Sequence, residues 1–333
     1  MRLIRHYEDV PADARGGVAA IGNFDGLHLG HQTVIAAATD LAGATGVAAA
    51  IITFEPHPYA VFHAGTAPFR LTPFRIKMPL LDGLGLDIAF VLPFDAALHR
   101  KAAADFVADV LVAGLGISHL VIGEDFVFGR DRGGNSALLA TLARHHGFGL
   151  SSVPKVSDGD GHPYSSTKVR QYLGAGQPHL AAAQLGRAWE VEGRVESGER
   201  RGRTIGFPTA NIALGDFLVP AHGVYAVRAG VVIGEAIEWH DGVANVGRRP
   251  TVGGAGILLE VHLFDFDGDL YGSYLRVALI DHLRAEKKFD GIDALRAQIV
   301  RDAEQARAVL ATDRTALEIG MRQPPTTTPI RIV

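Results

Sequence analysis

The stretch Ile21-Gly22-Asn23-Phe24-Asp25-Gly26-Leu27-His28-Leu29-Gly30-His31 decides how the first half of this chain is built. An apolar run, residues 17–21, leads into it, and a helical pattern of apolar residues leaves it between residues 34 and 41. These patterns predict a strand, a glycine-containing turn and a helix, in that order. Glycines at such a junction let the backbone approach a ligand closely, and the N–H groups of a first helical turn favour phosphate.

Two histidines, His28 and His31, lie three residues apart at this junction. Their side chains are therefore predicted to share one side of the turn and the first helical turn. Imidazoles beside backbone N–H groups suit the stabilisation of a charged phosphoryl transition state. From the spacing alone two other interpretations stay open. One is a metal site, although no third Cys, His or Glu lies at a suggestive spacing beside the pair, and the other is a pair of ordinary surface histidines.

The composition limits the classes of protein to consider. A chain of 333 residues is long enough for two domains, and its 47% hydrophobic and 20% charged residues describe an ordinary globular protein. A net charge of −4 argues against a protein that coats nucleic acid, and the absence of cysteine excludes disulfides and thiolate chemistry. No signal-peptide pattern and no apolar run of roughly 18 residues is present. We expect a cytoplasmic enzyme with no nucleic-acid or membrane partner, and the sequence leaves homo-oligomerisation open.

Apolar runs alternate with helical patterns through the first half of the chain. This alternation predicts a parallel sheet covered on both faces, with ligands at the carboxyl ends of its strands. The predicted strands are residues 17–21, 47–54, 87–92, 119–123 and 149–153, and the predicted helices are residues 31–43, 73–84, 101–114 and 135–147.

Three motifs follow strand ends or open a helix in this half. The second strand ends in a turn in which two prolines bracket His57, and the fourth leads into residues 123–130, which combine acids, aromatics and arginines. Residues 165–170 place hydroxyls, Lys168 and Arg170 at the start of a short helix. Each has a plain structural interpretation: a rigid turn, aromatics packed under a loop, and helix-capping hydroxyls. The alternative is a set of nucleotide and phosphate contacts.

The pattern changes after a helix predicted at residues 178–187, and we place a domain boundary at residue 186. Short strands with glycine turns then predict a small antiparallel barrel, followed by an amphipathic helix at residues 292–311. The predicted domains are residues 1–186 and 187–315, with a flexible tail at 316–333. The predicted strands are residues 189–197, 223–229, 231–239, 243–246, 258–265 and 271–280.

Two stretches of the second half carry candidate chemistry. In residues 198–211, glycines and arginines precede a proline-fixed turn that contains Thr209 and Asn211. The side-chain oxygens of these two residues can ligate magnesium beside a nucleotide phosphate. A basic surface hairpin is the alternative. Glu260 lies on a predicted strand, where a carboxylate either faces solvent or accepts the proton of a substrate hydroxyl. The acidic run at 265–269 is not an EF-hand, because its sixth and twelfth positions are Leu270 and Arg276.

These motifs together resemble a known family. Residues 22–31 resemble the HxGH signature of the adenylyl/cytidylyl-transferase superfamily, and the form with Phe-Asp-Gly resembles bacterial FAD synthetase. Residues 54–58 (FEPHP), 123–129 (GxDFxFG) and 165–170 (SSTxxR) follow in the family order. Residues 198–211 resemble the riboflavin kinase signature GxxRGRxxGFPTAN, and residues 259–272 resemble its LEVHLxDFDxDLYG segment. The resemblance covers about residues 15–312; it departs from the family at Lys168, often an arginine, and at the unusual residues 161–164.

The resemblance implies a fold and two reactions. The fold is α/β plus β-barrel: a Rossmann-like nucleotidyltransferase domain with a parallel sheet, then a small antiparallel riboflavin kinase barrel and a helix. The barrel would convert riboflavin and ATP into FMN and ADP, and the first domain would convert FMN and ATP into FAD and pyrophosphate. Mg²⁺ would accompany ATP, and no tightly bound organic cofactor is expected. The absence of a P-loop fits, because riboflavin kinases use none.

The resemblance also implies roles for individual residues. Glu260 would be the base that acts on riboflavin, and Thr209 and Asn211 would hold the metal. His28 and His31 would act in adenylyl transfer. The implied ATP and phosphate contacts are Gly22, Asn23, Phe24, Gly30, Ser166, Thr167, Arg170, Gly202, Arg203, Gly206, Pro208, Thr209 and Asn211. The implied flavin contacts are Phe54, Pro56, His57, Pro58, Asp125, Phe126 and Phe128.

Three alternatives remain at this point. One is a chain that retains only one of the two activities. A non-catalytic flavin-binding protein is the second, although binding alone needs neither the histidine pair nor Glu260. The third is an adenylyltransferase for another phosphate ester, such as phosphopantetheine, which would leave the second half unexplained.

Overall fold

The computed structural model describes residues 1–63, 65–196, 206–234, 236–251, 254–315 and 331–332. Its internal contacts divide the chain into two units. The first consists of residues 1–66, 77–165 and 319–333, and the second of residues 67–76 and 166–318. The domain boundary at residue 186 stays a prediction.

The first unit contains a seven-stranded sheet in the order β1-β4-β3-β2-β5-β6-β13. Six strands are parallel and β13 is antiparallel to β6, so the predicted parallel sheet is confirmed. The strands are β1 (Arg2–Ile4), β2 (Val18–Ile21), β3 (Ala49–Glu55), β4 (Ile88–Pro93), β5 (His119–Gly123), β6 (Gly149–Val153) and β13 (Arg331–Ile332). The two residues of β13 are all that the structure describes of the predicted flexible tail.

The order of the strands marks where a ligand would lie. The chain runs from β2 outward through β3 and β4, then returns to place β5 on the other side of β2. The crevice at such a reversal, at the carboxyl ends of the strands, is the usual ligand site of open parallel sheets. Because β2 ends at Ile21, the stretch that begins with Gly22 starts at this point.

Helices connect the strands of this sheet, as predicted. They are α1 (Leu29–Thr45), α2 (Pro58–Phe62), α3 (Phe74–Asp82), α4 (Ala96–His99), α5 (Ala103–Asp105), a π-helix (Phe106–Leu115) and α6 (Ser136–His146). The helix predicted at residues 101–114 is therefore a short α-helix followed by a π-helix. The π-helix ends at Gly116, which has a left-handed conformation, and Arg15 donates a hydrogen bond of 2.8 Å to the carbonyl of Ala113 near this end.

The longer segment of the second unit, residues 166–318, starts with two helices, α7 (Ser166–Gly174) and α8 (Pro178–Leu185), and continues into a closed six-stranded barrel. Every strand pair in the barrel is antiparallel, which confirms the predicted barrel. Its strands are β7 (Trp189–Glu196), β8 (Ala210–Ala213), β9 (Gly223–Ile233), β10 (Ala236–Thr251), β11 (Gly254–Leu263) and β12 (Tyr274–Arg284).

A final helix, α9 (Ile292–Thr312), packs on the outside of the barrel. Its Ala306 and Leu310 are buried in one apolar cluster with Val224 and Ala226 of β9 and Ala278 of β12. The amphipathic pattern predicted for residues 292–311 therefore matches the observed helix, because its apolar stripe faces the barrel.

Candidate active sites

The turn between β2 and α1, residues 22–28, is held by two buried apolar side chains. Phe24 and Leu27 have φ angles of 49° and 50°, in the left-handed region that non-glycine residues seldom adopt. Their side chains are 1% and 0% exposed, so burial of apolar surface offsets the cost of this backbone conformation. The turn thereby has one defined shape, and it leads directly to His28 at the start of α1.

His28 and His31 meet at the start of α1, as their spacing predicts. His28 is the N-cap residue, and its Nδ1 accepts a hydrogen bond of 3.3 Å from the backbone N–H of His31. The two imidazole rings stack with centroids 3.6 Å apart, and the Phe24 ring contacts His31 edge-on at 5.3 Å. Because Nδ1 of His28 is an acceptor here, a neutral His28 carries its proton on Nε2, which suits donation to an anion.

Residue 30, between the two histidines, is a glycine, and the His28 ring packs against it. A Cβ atom at residue 30 would lie 3.2 Å from two atoms of the His28 ring, so a side chain there would push the ring away.

The metal-site interpretation of the histidines gains no support. Within the described ranges, the His, Asp and Glu side chains close enough to hold an ion are Asp158, Asp160 and His162, and neither His28 nor His31 is among them.

The predicted turn after β3 carries an aromatic cluster. His57 is buried and caps α2, its Nδ1 accepting a hydrogen bond of 3.1 Å from the N–H of Tyr59. Phe54 contacts Phe94 at a centroid distance of 5.8 Å, and Phe62, which is 60% exposed, contacts Phe94 at 5.7 Å. Phe62 and Phe94 were not predicted, since neither belongs to the FEPHP motif. Of that motif, Pro56 is exposed and Pro58 is the first residue of α2.

The predicted flavin residues after β5 have three different environments. Asp125 is exposed and lies 3.3 Å from Lys155 as an ion pair. Phe126 is half-buried and stacks on Phe128 with centroids 5.5 Å apart, whereas Phe128 is 8% exposed and belongs to the hydrophobic core. Phe128 therefore matches the structural interpretation of this loop, and Asp125 is the one of the three that solvent reaches most.

The hydroxyl segment opens α7, in the second unit. Ser166 is the first residue of that helix and Thr167 is exposed. The Nε of Arg170 donates a hydrogen bond of 2.9 Å to the carbonyl of Phe69, and its guanidinium lies 5.5 Å from the centre of the Phe69 ring. Arg170 is thus positioned by the 67–76 segment of its own unit, a contact that the motif did not predict.

A row of paired residues across five of the six barrel strands brings the second candidate site together. Asn211 of β8 is paired with Glu260 of β11, Glu260 with Asn245 of β10, and Asn245 with Val224 of β9. Val224 is in turn paired with Arg284 of β12. Paired residues on neighbouring strands point to the same face of a sheet, so five positions that are far apart in sequence share one level of the barrel.

These five residues all border one cavity of about 440 Å³, which is large enough for a sizeable organic ligand. Thr209 and Pro208 also border it, as do the aromatic rings of Phe207, Phe266 and Phe289. Glu260 is half-buried at its wall. A carboxylate, amides and aromatic rings around one cavity can hold a polar heterocycle and act on one of its hydroxyls.

Asn211 has the environment expected of a ligand to a hard cation. It is 6% exposed, and its Oδ1 atom has no hydrogen-bond partner within the part of the chain that the structure describes. A buried amide oxygen without a partner is costly, and a cation would remove that cost. The Thr209 hydroxyl lies two residues earlier on the border of the same cavity, so both predicted metal ligands are brought to one place. Gly206 is exposed, and Gly202 and Arg203 lie outside the described residues.

The cavity also has a charged wall that sequence motifs did not reveal. The carboxylate of Asp302 on α9 accepts hydrogen bonds from Nε and Nη2 of Arg284 at 2.9 and 2.7 Å, and one from Gln298 at 2.7 Å. Asp302 is buried, and both members of the pair border the cavity. Arg284 and Asp302 are 18 residues apart and belong to no motif, so only the tertiary structure, which packs α9 on the barrel, identifies them.

Two family models and several relatives match this chain. A family model described as FAD synthetase matches residues 10–168, and one described as riboflavin kinase matches residues 185–310. The bifunctional riboflavin kinase/FMN adenylyltransferase of Pseudomonas fluorescens is 41% identical over 312 residues, covering 93% of this chain and 98% of that protein. The protein of the same description from Escherichia coli K12 is 39% identical over 317 residues, covering 95% and 100%.

A solved structure shares the fold over most of its length. The crystal structure of a Streptococcus pneumoniae protein described as a macrolide-efflux protein superposes with a TM-score of 0.80 and 29% identity, covering 92% of this chain and 98% of that one. None of the helices in the described ranges has both the length and the hydrophobicity needed to cross a membrane.

Proposed function

The chain belongs to the family of bifunctional riboflavin kinase/FMN adenylyltransferases, and from that premise we propose which of its residues carry each reaction. The family's two activities are the phosphorylation of riboflavin by ATP, which gives FMN and ADP, and the adenylylation of FMN by a second ATP, which gives FAD and pyrophosphate. ATP, riboflavin, FMN and FAD are accordingly its substrates and products.

For the kinase reaction, Glu260 is the general base. Its carboxylate accepts the proton of the riboflavin 5′-hydroxyl, whose oxygen attacks the γ-phosphorus of ATP while ADP leaves with the electrons of the broken P–O bond. This assignment is supported by the row of paired residues, which places Glu260, Asn211 and Arg284 around one cavity. Phosphoryl transfer of this kind depends on positioning and charge neutralisation, which such a cavity supplies.

Magnesium fits the same cavity. The Thr209 hydroxyl and the Asn211 amide oxygen are the oxygen ligands that this ion prefers, and Asn211 Oδ1 lacks a protein partner among the described residues. Asn211 and Thr209 would hold the ion, which would neutralise phosphate charge when bound there with ATP. Gly206 and Pro208 belong to the turn that precedes these two residues, and Gly202 and Arg203 are assigned to the phosphates from the motif.

For adenylyl transfer, His28 and His31 neutralise charge on the α-phosphate of ATP while an FMN phosphate oxygen attacks it and pyrophosphate leaves. The stacked pair at the start of α1, with its N–H groups and the shaped turn of residues 22–27, supports this assignment. The aromatic cluster of Phe54, Phe62 and Phe94 is the proposed flavin contact. Ser166, Thr167 and Arg170 are assigned to the phosphates from their motif.

Crossed variants test the two assignments. Glu260→Gln should lower FMN formation by about 10²- to 10⁴-fold, the usual contribution of a general base, and leave conversion of FMN to FAD unchanged. His28→Ala should do the reverse. Flavins separated by chromatography measure both reactions in the same sample. If either variant lost both activities while remaining folded, the assignment of two separate sites would be wrong.

The setting of the enzyme is part of the proposal. It works in the cytoplasm, where ATP is available to both reactions. We propose no nucleic-acid partner, because the net charge of −4 argues against one.

A further inference from the structure

Lys77 is a buried lysine that the motifs do not include. It lies on α3 and is 1% exposed, and its Nζ donates a hydrogen bond of 2.9 Å to the backbone carbonyl of Asn23. Removing an ammonium group from water is expensive and is tolerated only where polar groups receive it. This hydrogen bond ties the Asn23 carbonyl to a buried side chain of α3.

That carbonyl belongs to the turn that leads to the histidines. Asn23 follows Gly22, and the next residue, Phe24, has the left-handed conformation. Because a peptide unit is planar, the direction of the Asn23 carbonyl also fixes the direction of the Phe24 N–H on its opposite side. The hydroxyl of Thr53 donates to the same carbonyl at a longer distance of 3.3 Å, so Lys77 is the closer of these two donors.

The far end of the turn is held by a matching contact. The side-chain amide of Gln32, which is 4% exposed, donates a hydrogen bond of 2.8 Å to the carbonyl of Leu27, the residue before His28. Two buried side chains thus hold the backbone at residues 23 and 27. Phe24, which has a positive φ angle, follows the first contact residue, and Leu27, which also has one, is the second contact residue.

We propose that Lys77 is a positioning residue for adenylyl transfer: its hydrogen bond fixes the peptide unit between Asn23 and Phe24, and thereby the shape of the turn that leads to His28 and His31. This rests on the proposed role of His28 and His31 in that reaction. Lys77 acts through the backbone of the turn.

The test compares three variants of the full chain in both reactions. Lys77→Met keeps the length of the side chain and removes its charge and hydrogen bond, whereas Lys77→Arg keeps a cation. Lys101→Met is the matched control, since Lys101 belongs to the same unit and pairs with Asp109 in a partly exposed position. Lys77→Met should lower kcat for FAD formation from FMN by about tenfold to a hundredfold. Lys77→Arg should recover part of that loss, and Lys101→Met should match the unsubstituted chain.

Other readouts separate positioning from stability. In Lys77→Met, hydrogen exchange of the peptide that covers residues 22–28 should be faster, while exchange in β2 and β3 is unchanged, and riboflavin phosphorylation in the same sample should stay normal. The proposal is overturned if folded Lys77→Met makes FAD at the normal rate, or if exchange is faster throughout the sheet and kcat per folded molecule is normal. If Lys77→Met does not fold, Lys77→Gln, which shortens the side chain and removes the ammonium group, takes its place, and a normal kcat for FAD formation there overturns the proposal.

A failure of the underlying site is distinguishable. If His28→Ala forms FAD as fast as the unsubstituted chain, the role of the histidine pair is wrong whatever Lys77 does. If His28→Ala is impaired and Lys77→Met is not, only the inference about Lys77 falls.

Discussion

The ion pair between Asp302 and Arg284 should hold α9 against the barrel as one wall of the cavity. We predict that Asp302→Ala destabilises the second unit. The substitution removes a carboxylate whose side chain is 4% exposed and leaves Arg284, which is 20% exposed, without its bidentate partner. Removing one partner of a buried pair costs about 3 to 5 kcal/mol. Because Arg284 can be partly hydrated, we expect a loss near the lower end, about 3 kcal/mol.

Tryptophan fluorescence isolates this effect. The two tryptophans of the chain, Trp189 and Trp239, both lie in the second unit, so their emission during urea unfolding reports that unit. With an m-value of about 2 kcal/mol per molar urea, the loss should lower the unfolding midpoint by about 1.5 M. Riboflavin KM should also rise, because Asp302 and Arg284 border the cavity, while FAD formation from supplied FMN should be unchanged.

The chain contains a matched control for this prediction. Arg307 of α9 forms a similar bidentate pair with Asp265, with distances of 2.8 and 2.9 Å, but both side chains are mostly exposed. Asp265 has a φ angle of 54°, which asparagine tolerates better than alanine. Asp265→Asn should therefore shift the midpoint little, since exposed pairs contribute little. Equal midpoints for Asp302→Ala and Asp265→Asn would contradict this prediction, because burial would then not decide the strength of the pair.

Three further outcomes follow from the two sites. Asn211→Ala should raise the magnesium concentration needed for half-maximal FMN formation about tenfold, and a magnesium titration that matches the unsubstituted chain would exclude Asn211 as a ligand. Gly30→Ala should slow FAD formation about tenfold or more, because the Cβ of the new alanine would displace the His28 ring. Initial rates with saturating FMN measure this effect, and a normal rate would show that the position of the His28 ring is not needed. Phe62→Ala should raise the KM for FMN severalfold through lost aromatic contact, with riboflavin KM as the internal control, and an equal change in both would contradict a flavin contact at Phe62.

The sequence predicted the first unit well because its strands are buried on both faces. Such strands are nearly continuous apolar runs, and the runs at residues 119–123 and 149–153 coincide with β5 and β6. The strand β1, three residues long, carries too little pattern to be recognised. Periodicity also could not separate the π-helix at 106–115 from an ordinary α-helix, since both give a run of apolar residues.

In the barrel, two glycines were interpreted as turns and are instead places of close packing. Gly230 lies within β9, where a Cβ would meet Ile237 and Trp239, and Gly242 lies within β10, where a Cβ would meet the carbonyl of His262. The strands predicted as 223–229, 231–239 and 243–246 are therefore two longer strands. A glycine inside a strand marks a close approach as readily as a turn, and sequence alone does not distinguish them. The four-residue strand β8 was missed.

Some residues of the candidate sites could be predicted from local spacing, and others only from the tertiary structure. His28, His31 and Gly30 could be predicted because their spacing along a helix start is local, and the structure brings them together. Asn245 and Arg284 border the cavity because the register of the barrel strands places them in one row of paired residues with Glu260. Lys77 reaches Asn23 across 54 residues of sequence. Such contacts depend on tertiary structure, which a motif does not record.

We expect one chain to perform both reactions in sequence, and a time course of the flavins tests this expectation. The purified protein is incubated with riboflavin, ATP and magnesium, and its flavins are separated by chromatography at intervals. We predict that FMN forms first and is then converted to FAD. Accumulation of FMN without any FAD, under conditions where ATP remains in excess, would contradict the claim, as would the absence of any phosphorylated flavin.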